Sequence, residues 1–486
     1  MTNPMDAAWA ALKAEVAAGL KVRTDSRKVL PGEVFVAMPG TNVRGADFVR
    51  DALERGAQYI VTQESGLMLG ESGAKLILRP DCAEALGELA RAHFHAERLQ
   101  LKLVAITGTN GKTTTAFITE YLLAVTGLKV GLMGTVAYRW PGFSLDATLT
   151  TPDCWTLHEL ICNMGNSDVD AVVMEASSHA VHQNRVAGLH FDVAVLTNVT
   201  QDHLDYHGDM ERYFQAKAAL FRDCPDKGKT WVVNYDDPYG CRLLGEAENA
   251  IPYGLGEPPT SHEALRGEIL ESSSAGLKLR MTYKGATWDL HSPLIGRHNA
   301  QNLLAAQGVG LSLGLSPRDL RKLEGFAGVP GRLERVPNDK GLDIFVDYAH
   351  TPDALINVLT TLRGLTQGRL LTLFGCGGNR DKTKRPLMAE AVARFTDVAI
   401  LTSDNPRHEN PLDIMADART GLRGCAEAME EPDRALAIRR AVALMEPGDV
   451  LLVAGKGHET YQQIGDEKFP FSDVEQVSLA IQEVLG

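Results

Sequence analysis

The sequence is poor in the features that mark secreted, membrane or nucleic-acid-binding proteins. Its seven cysteines form no CxxC pair, which is typical of reduced thiols in a cytoplasmic protein rather than of a disulfide framework. No uninterrupted apolar run approaches the roughly 20 residues that a membrane span requires. The formal net charge of −13 argues against a nucleic-acid partner, because phosphate backbones demand clustered lysine and arginine. We therefore expect a cytoplasmic protein with neither a nucleic-acid nor a membrane partner.

The chain also lacks internal repeats and low-complexity tracts. Asp6 and Glu15 lie in a segment with helical spacing of apolar residues, so the N-terminus does not resemble a secretion signal. The composition is ordinary for globular domains, with 44% hydrophobic and 23% charged residues. A chain of 486 residues is too long for a single core, and ordinary domain sizes predict about three domains.

Short apolar runs followed by polar residues alternate with helix-like stretches from Leu101 onward. Such runs are typical of parallel strands buried on both faces, whose carboxyl ends collect ligands. A Gly/Pro-rich boundary at 325–330 separates two groups of runs. The runs lie at 103–106, 171–174, 193–196 and 231–233 before the boundary, and at 344–346, 370–374, 398–401 and 450–453 after it.

The segment from Val104 to Thr115 carries the clearest functional signal. An apolar run enters a glycine-rich turn, and a Lys-Thr-Thr sequence then opens a helix. A triphosphate needs this order of backbone N–H groups, helix N-terminus, lysine and Mg²⁺-binding hydroxyl. The strict Walker pattern has glycine where this chain has Ile106, and the alternative is an ordinary strand–turn–helix corner. We predict ATP or GTP binding by the loop residues Gly108, Thr109, Asn110, Gly111, Lys112, Thr113 and Thr114.

An acid and a histidine follow two of the central strands. Glu175 ends one run, where a carboxylate beside a phosphate loop can bind Mg²⁺ directly or through water. His203 follows another run between Asp202 and Asp205, which suits a metal or phosphate role. The alternatives are a solvated acid and a structural histidine.

Three other segments of the central region stay ambiguous on residue chemistry alone. The polar run from Ser177 to Arg185 suits substrate contact or an ordinary exposed loop. Lys217 lies on an amphipathic helix and, judged by sequence alone, is a surface lysine. The amides of 297–302 could read an adenine edge or form a helix N-cap and first turn.

The segment Asp404-Asn405-Pro406-Arg407 follows a C-terminal strand. Proline stiffens the turn, and Arg407 can grip a carboxylate with two parallel hydrogen bonds. Arg380 and Glu459 follow other strands of the same predicted sheet edge. Together they indicate a pocket for a zwitterion, with cations for carboxylates and an anion for ammonium. The alternative is a helix-capping turn with a surface arginine.

These residues together resemble the Mur ligase family, ATP-dependent amide-forming enzymes of peptidoglycan precursor synthesis and hence of the cell wall. In this family Ile106 is expected in place of the Walker glycine. The resemblance covers nearly the whole chain, in family order, through motifs at 108–114, 150–152, 175–179, 197–205, 296–302, 331–334 and 347–352.

Within the family, the chain resembles the branch that adds the third residue of the stem peptide. Asp25-Ser26-Arg27 resembles the segment that contacts the UDP part of the substrate, although the family varies after it, at 41–45. Residues 404–407 resemble the signature of enzymes that add meso-diaminopimelate, and lysine-adding relatives typically lack Arg407. Diaminopimelate carries a distal carboxylate that lysine does not, so a site without a cation would leave it unpaired.

The resemblance implies an α/β fold of three domains. These are an N-terminal UDP-substrate domain (1–98), a central parallel-sheet P-loop ATPase domain (99–329) and a C-terminal Rossmann-like, amino-acid-binding domain (330–486). It also implies a mechanism: ATP phosphorylates the free carboxylate of UDP-N-acetylmuramoyl-L-alanyl-D-glutamate, and the amine of diaminopimelate attacks the acyl phosphate. We expect a monomer.

The resemblance also assigns roles to individual residues. Lys112 holds the outer phosphates, and Thr113, Glu175 and His203 surround Mg²⁺ with Lys217, which the family carbamylates; Lys112, Glu175, His203 and Lys217 form the catalytic set. The residues implied to contact the UDP-dipeptide are Thr24, Ser26, Thr150, Thr151, Ser177, Gln183 and Arg185. Those implied to face ATP beside the loop are Asn299, Asn302, Arg332 and Asp347. The diaminopimelate set is Arg380, Asp404, Asn405, Pro406, Arg407, Gly455 and Glu459.

Other functions compete with this prediction. The lysine-adding homologue is the nearest, and folylpolyglutamate synthetase shares the loop and the ligase chemistry but not the Asp25-Ser26-Arg27 domain. A motor or switch ATPase would have no need of the two substrate-binding strand edges. A binding protein without turnover would leave the metal-ligand set unexplained.

Overall fold

The protein, seen in a computed structural model, is described over residues 4–40, 44–67, 73–222, 229–258 and 263–486. The chain divides into two compact units: the first comprises 1–266 with 303–320, and the second comprises 267–302 with 321–486. The predicted domain boundaries at 98 and 329 stay a prediction. Among the described residues, every helix is too short or too polar to cross a lipid bilayer.

The first unit begins with a parallel sheet flanked by helices. Its elements are α1 (Pro4–Ala17), β1 (Val22–Arg23), β2 (Val34–Val36), α2 (Val49–Glu54), β3 (Tyr59–Thr62), β4 (Lys75–Leu78) and α3 (Cys82–His93), with 3₁₀ turns at Ser26–Lys28, Gly45–Phe48 and Ala96–Arg98. The strand order is β1-β2-β3-β4, with every neighbouring pair parallel. Asp81 caps α3, because its side chain accepts from the N–H groups of Ala83 and Glu84.

A second sheet of the first unit carries the phosphate loop. Its elements are β5 (Lys102–Thr107), α4 (Lys112–Val125), β6 (Val130–Met133), β7 (Ala137–Trp140), β8 (Phe143–Asp146), α5 (Cys154–Asn166), β9 (Ala171–Glu175), α6 (Ser178–His182), β10 (Val193–Leu196), α7 (Leu204–His207), α8 (Met210–Arg222), β11 (Thr230–Asn234), α9 (Pro238–Leu244) and β12 (Ala250–Gly254). The order is β12-β11-β10-β5-β9-β6-β7-β8, parallel up to β6 and antiparallel at β7 and β8.

Two elements cross the boundary between the units, and one short helix returns to the first unit. These are β13 (Leu265–Ser273), α10 (Arg297–Ser312) and α11 (Pro317–Leu320). β13 pairs in parallel with β12 where Tyr253 lies opposite Leu265.

The second unit is dominated by one sheet with helices on both faces. Its elements are β14 (Gly276–Tyr283), β15 (Ala286–Ser292), β16 (Glu334–Arg335), β17 (Asp343–Asp347), α12 (Pro352–Leu365), β18 (Leu370–Cys376), α13 (Lys384–Phe395), β19 (Val398–Ser403), α14 (Pro411–Arg419), β20 (Glu427–Glu431), α15 (Arg434–Leu444), β21 (Val450–Ala454), β22 (Tyr461–Ile464), β23 (Glu467–Pro470) and α16 (Asp473–Leu485), with 3₁₀ turns at Arg321–Gly325 and Thr420–Gly424. The order is β16-β17-β21-β18-β19-β20, parallel except at β16.

The predicted α/β class and the parallel strands are confirmed. The continuous apolar runs form β5, β9, β10 and β11 in one sheet and β17, β18, β19 and β21 in another, because both faces of these strands are buried. The polar segments that follow β17, β18, β19 and β21 therefore leave the sheet at the same edge. The antiparallel hairpins β14–β15 and β22–β23 have no counterpart in the prediction.

Candidate functional site

The phosphate loop joins β5 to α4 and needs glycine at two positions. Gly108 has φ +150°, and a Cβ there would collide with Oγ1 of Thr197. Gly111 precedes the first residue of α4 with φ +86°. The first turn of α4 thus leaves backbone N–H groups without intrahelical partners, as a phosphate site requires.

The segment after β10 holds this loop in shape. The Thr109 N–H donates to the Asn198 carbonyl at 2.9 Å, and the Asn110 N–H donates to Oδ1 of Asn198 at 2.9 Å. The Thr197 hydroxyl donates to the Asn110 carbonyl at 2.6 Å. The backbone and side chains of residues 197–198 therefore hold the loop in shape.

Lys112 is folded over the loop that it follows. Its Nζ donates to the carbonyls of Gly108 at 2.9 Å and Thr109 at 3.0 Å. The ammonium is thereby held at the phosphate loop, and its contact with the outer phosphates stays a prediction.

Glu175 is a buried carboxylate at the carboxyl end of β9, with 1% of its surface exposed. Its Oε2 accepts from the hydroxyls of Thr113 at 2.9 Å and Thr135 at 3.1 Å, and Oε1 accepts from the Thr135 N–H at 2.8 Å. A Cβ at Gly134 would collide with Oε1, so the approach of this turn depends on glycine. The alternative of a solvated acid is wrong.

Lys217 is buried, with 1% of its surface exposed, so the surface position suggested by its helix alone is wrong. Its Nζ donates to the Gly108 carbonyl at 2.8 Å and lies 4.4 Å from the centre of the Tyr213 ring. Burial, with a smaller effect of Lys112, lowers the pKa of Lys217 well below 10.5, and Asp202 opposes that shift. α8 is amphipathic, but its polar stripe at this point faces the phosphate loop.

His203 immediately precedes α7 in a left-handed conformation with φ +51°. Its Nε2 lies 3.4 Å from Oδ2 of Asp202, and its ring centre lies 4.7 Å from that of His179. Burial lowers the pKa of His203, which favours a neutral ring able to act as a ligand. In the described part of the chain, no three His, Cys, Asp or Glu side chains converge as a metal site.

The residues implied to contact the UDP-dipeptide in the central sheet lie together. The Thr151 hydroxyl donates to the Glu175 carbonyl at 2.8 Å and accepts from the Ser177 N–H at 3.2 Å. Arg185 donates to the Thr151 carbonyl at 2.9 Å and to Oε1 of Gln183 at 2.7 Å and 3.1 Å. These polar groups form one connected network rather than an ordinary exposed loop.

The same network reaches the carboxylate beside the phosphate loop. Thr150 Oγ1 lies 3.2 Å from Thr135 Oγ1, and Thr135 donates to Glu175. The segment implied to hold the UDP-dipeptide and the loop implied to hold ATP therefore share hydrogen-bonded neighbours.

The two N-terminal residues of the set lie between β1 and β2. Thr24 is exposed, whereas Ser26 is buried and begins a 3₁₀ turn capped by the Asp25 side chain. Arg27 pairs with Asp25 at 2.9 Å, and this hydrogen bond lowers the pKa of the Asp25 carboxyl to about 2. Of the variable segment 41–45, residues 41–43 lie outside the described residues.

The other residues implied to face ATP belong to the second unit. Asn299 and Asn302 lie in the first turns of α10, and Nδ2 of Asn302 donates to Oδ1 of Asn299 at 3.1 Å. Asp347 ends β17, where burial raises the pKa of its carboxyl while it accepts from the Leu333 and Ala349 N–H groups, both at 2.7 Å. Arg332 lies over the Tyr348 ring, with Cζ 4.9 Å from its centre.

A cavity of about 450 Å³ opens at the carboxyl edge of the sheet in the second unit. Six of the seven residues implied for diaminopimelate line it, and the seventh, Pro406, fixes the turn between two of them. The lining residues are Tyr348, His350, Thr351, Gly375, Cys376, Gly377, Arg380, Asp381, Lys384, Arg385, Met388, Asp404, Asn405, Arg407, Gly455 and Glu459. The strand ends thus bring these residues to one cavity, and their role in binding diaminopimelate stays a prediction.

Hydrogen bonds to two other segments of the chain hold the 404–407 turn in place. Arg407 has φ +53°, its Nη1 donates to the Gly378 carbonyl at 2.8 Å, and its N–H donates to the Gln463 carbonyl at 3.1 Å. Asp404 is buried, and its Oδ1 makes no hydrogen bond to a described residue. This oxygen instead lies 3.6 Å from Nζ of the buried Lys456, so an ion pair compensates its charge.

Sequence reasoning missed several residues of both sites. Thr135 lies in a turn with no pattern of its own, and Lys456 lies in a glycine-rich turn that suggests exposure. Tyr213 is an ordinary apolar position of an amphipathic helix, although its hydroxyl lies 3.1 Å from Thr109 Oγ1. In each case contact across the fold, not local sequence, creates the role.

Comparison with known proteins gives three successive family matches along the chain. Residues 21–94 match the Mur ligase family, catalytic domain; 106–310 match the Mur ligase middle domain; and 331–457 match the Mur ligase, glutamate ligase domain. Their order confirms the predicted three-domain architecture.

Curated relatives match over nearly the full length. UDP-N-acetylmuramoyl-L-alanyl-D-glutamate--2,6-diaminopimelate ligase of Lawsonia intracellularis is 51% identical, with 95% of each chain covered. The protein of the same name from Synechococcus elongatus is 43% identical, with 95% of this chain and 94% of the relative covered.

Solved structures agree. A structure of a UDP-N-acetylmuramoyl-L-alanyl-D-glutamate--2,6-diaminopimelate ligase is 33% identical with a TM-score of 0.71, covering 96% of this chain and 95% of the other. The ADP complex of MurF from Thermotoga maritima, 20% identical with a TM-score of 0.58 over 96% and 98% of the chains, shares the fold. The chain belongs to the Mur ligase family, among relatives called UDP-N-acetylmuramoyl-L-alanyl-D-glutamate--2,6-diaminopimelate ligase.

Proposed function

We propose that the protein is an ATP-dependent ligase that joins meso-diaminopimelate to the D-glutamate of UDP-N-acetylmuramoyl-L-alanyl-D-glutamate in peptidoglycan precursor synthesis. The observation that carries this proposal is the cavity in which Arg380 and Arg407 lie with Asp404 and Glu459. Diaminopimelate has two carboxylates and two ammonium groups, and this cavity is lined by both cationic and anionic side chains. The names of the relatives at 41–51% identity give the same substrates.

The reaction divides into two displacements. A carboxylate oxygen of the dipeptide attacks the γ-phosphorus of ATP, the bond to the β-phosphate oxygen breaks, and ADP leaves. The diaminopimelate amine then attacks the acyl carbon and loses a proton, the C–N bond forms, and the C–O bond to phosphate breaks. Lys112 orients the outer phosphates, and the 150–185 network orients the dipeptide.

The oxygen donors around Glu175 fit Mg²⁺. Its carboxylate is buried, and the described contacts that hold it are hydrogen bonds from Thr113 and Thr135, which are neutral. Buried carboxylate and hydroxyl oxygens are the ligands that this cation prefers. We propose that Thr113 and Glu175 hold Mg²⁺, with His203 and carbamylated Lys217 as further ligands; when bound, the ion neutralises charge on the phosphates.

Lys217 suits carbamylation because burial favours its neutral amine. The neutral amine attacks CO₂, a C–N bond forms, and one proton leaves, which converts a buried neutral amine into a carbamate with one negative charge. ¹³C NMR of the protein under ¹³CO₂ should show a carbamate signal that Lys217→Met lacks. The same signal in the wild-type protein and in Lys217→Met would mean that a different amine is carbamylated.

The remaining expectations also stand as proposals. We propose that the protein acts in the cytoplasm, in keeping with the six described cysteines, all of which are free. We propose a monomer with domain boundaries at 98 and 329.

Phosphate release tests the proposed reaction. It should require ATP, the UDP-dipeptide and the amino acid together, and meso-diaminopimelate should be used at far lower concentration than L-lysine. ATP hydrolysis without either acceptor would contradict a ligase. A preference for L-lysine would leave the ligase in place and overturn the assignment of Arg407.

A further inference from the structure

Lys456 lies between two residues of the amino-acid cavity, Gly455 and Glu459, but does not itself line that cavity. Its side chain is fully buried, with 0% of its surface exposed. Nζ donates to Oδ1 of Asn405 at 2.9 Å and to the Tyr461 carbonyl at 2.7 Å. A lysine withdrawn from both solvent and cavity can act on a ligand only through the groups that it touches.

Two carboxylates of the cavity flank this ammonium. Oδ1 of Asp404 and Oε2 of Glu459 each lie 3.6 Å from Nζ. The two negative charges and the one positive charge leave this wall with one net negative charge. Burial, with a smaller effect of Arg434, lowers the pKa of Lys456, and Asp404 and Glu459 oppose that shift.

Asn405 transmits the position of Lys456 to Glu459. Its Oδ1 accepts from Nζ and also from the Gln463 N–H at 2.9 Å, which fixes the orientation of the amide. Nδ2 then donates to Oε2 of Glu459 at 2.8 Å. A flipped amide would place its NH₂ group against an ammonium and an N–H, so the network has one satisfied arrangement.

We propose that Lys456 is a positioning residue for the amino-acid substrate, holding Asn405 and Glu459 and leaving one net negative charge on the wall that receives an ammonium group. Oδ1 of Asp404 makes no hydrogen bond to a described residue and lies 3.6 Å from Nζ of Lys456, so the charge of the lysine compensates this buried carboxylate. The proposal rests on the proposed function, because it describes how the same cavity recognises its diamino acid.

Kinetics of the full-length enzyme test the proposal. In Lys456→Met the KM for meso-diaminopimelate should rise about tenfold or more, because a charge-assisted network is lost. The KM values for ATP and the UDP-dipeptide should stay within about twofold of wild type, since this lysine contacts the amino-acid wall. Lys456→Gln keeps a donor without the charge and should show an intermediate rise.

Lys468→Met is the matched control. Lys468 is exposed and lies 4.0 Å from the centre of the Tyr461 ring, on the hairpin that also accepts a hydrogen bond from Lys456. Its loss should leave every KM unchanged, which separates disturbance of the hairpin from loss of the buried charge.

A double-mutant cycle tests the route through Glu459. If Lys456 acts by holding Glu459, then Lys456→Met added to Glu459→Gln should raise the KM much less than it does in the wild-type background. Fully multiplicative effects would overturn the proposal. So would an equal loss of affinity for all three substrates, or unfolding of both Lys456 variants at the assay temperature, since either outcome makes the lysine purely structural. If the wild-type enzyme does not use diaminopimelate at all, the proposed function fails instead.

Discussion

Two buried lysines show how differently the two units use the same side chain. Lys217 donates to a backbone carbonyl and lies over a tyrosine ring, and burial lowers its pKa well below the ordinary value. Lys456 donates to an amide oxygen and lies 3.6 Å from each of two carboxylates, and these carboxylates oppose the lowering of its pKa by burial. The first environment favours a neutral, nucleophilic amine, and the second places negative charge beside the lysine that opposes this change.

The carboxylates beside these lysines differ in the same way. Glu175 is held by hydroxyl and backbone N–H donors, whereas Glu459 is held by an amide and an ammonium. The first unit thus keeps its anion available for an added cation, whereas the second unit balances one of its two negative charges in advance. A metal–phosphate centre needs the former, and a zwitterion pocket needs the latter.

The largest effect should come from Lys217→Met. Removing the amine would remove the proposed carbamate, so turnover at saturating substrates should fall by about a hundredfold or more. Steady-state phosphate release measures this, with Lys468→Met as the control of unchanged activity. Near-normal turnover in Lys217→Met would mean that this buried lysine is only structural, and the contrast with Lys456 would disappear.

Sequence alone predicts the strands that carry both sites better than it predicts the side-chain contacts within them. The apolar runs identify the parallel strands, because a strand that is buried on both faces has a continuous apolar sequence. The ends of these strands then locate the carboxyl edge of each sheet. The position of Lys217 is not predictable from its helix, since an amphipathic pattern does not say which neighbour meets the polar stripe. Thr135 and Lys456 likewise acquire their roles from contacts with residues 40 and 51 positions away, Glu175 and Asn405.

Arg407→Ala should give the next largest effect, on the other side of the comparison. Loss of a charge-assisted contact to a carboxylate should raise the KM for meso-diaminopimelate about tenfold to a hundredfold, with kcat much less affected. Competition between diaminopimelate and L-lysine measures the accompanying loss of discrimination. Arg419→Ala, which removes an exposed pair with Glu430, is the control. An unchanged affinity for meso-diaminopimelate would mean that Arg407 does not bind the amino acid.

Thr135→Val should have a smaller effect, confined to the first site. It removes the hydroxyl that donates to Glu175 but keeps the backbone N–H that also donates, so the carboxylate is less firmly held. The Mg²⁺ concentration for half-maximal activity should rise severalfold, because the lost hydrogen bond contributes about 1 kcal/mol to the orientation of the carboxylate. Titration of Mg²⁺ at saturating ATP checks this. An unchanged requirement, with the KM for the UDP-dipeptide raised instead, would place Thr135 with its neighbour Thr150 in substrate binding.

The smallest effect concerns stability and pH. For a lysine whose pKa is lowered by folding, the unfolded chain binds more protons between the lowered pKa and the ordinary 10.5, so the free energy of unfolding rises with pH in that window. Below the lowered pKa both states are charged, and the full cost of burying the ammonium is present. Two carboxylates oppose the lowering of the Lys456 pKa, whereas Lys217 contacts a neutral backbone carbonyl. Lys217→Met should therefore reduce the rise of the free energy of unfolding with pH more than Lys456→Met does. Melting temperatures of wild type and both variants between about pH 7 and pH 10, in CO₂-free buffer, measure the two differences. An equal change in the pH dependence of both variants would mean that the two environments shift the pKa values of their lysines alike. Only the proposed contacts with substrate would then distinguish the two sites.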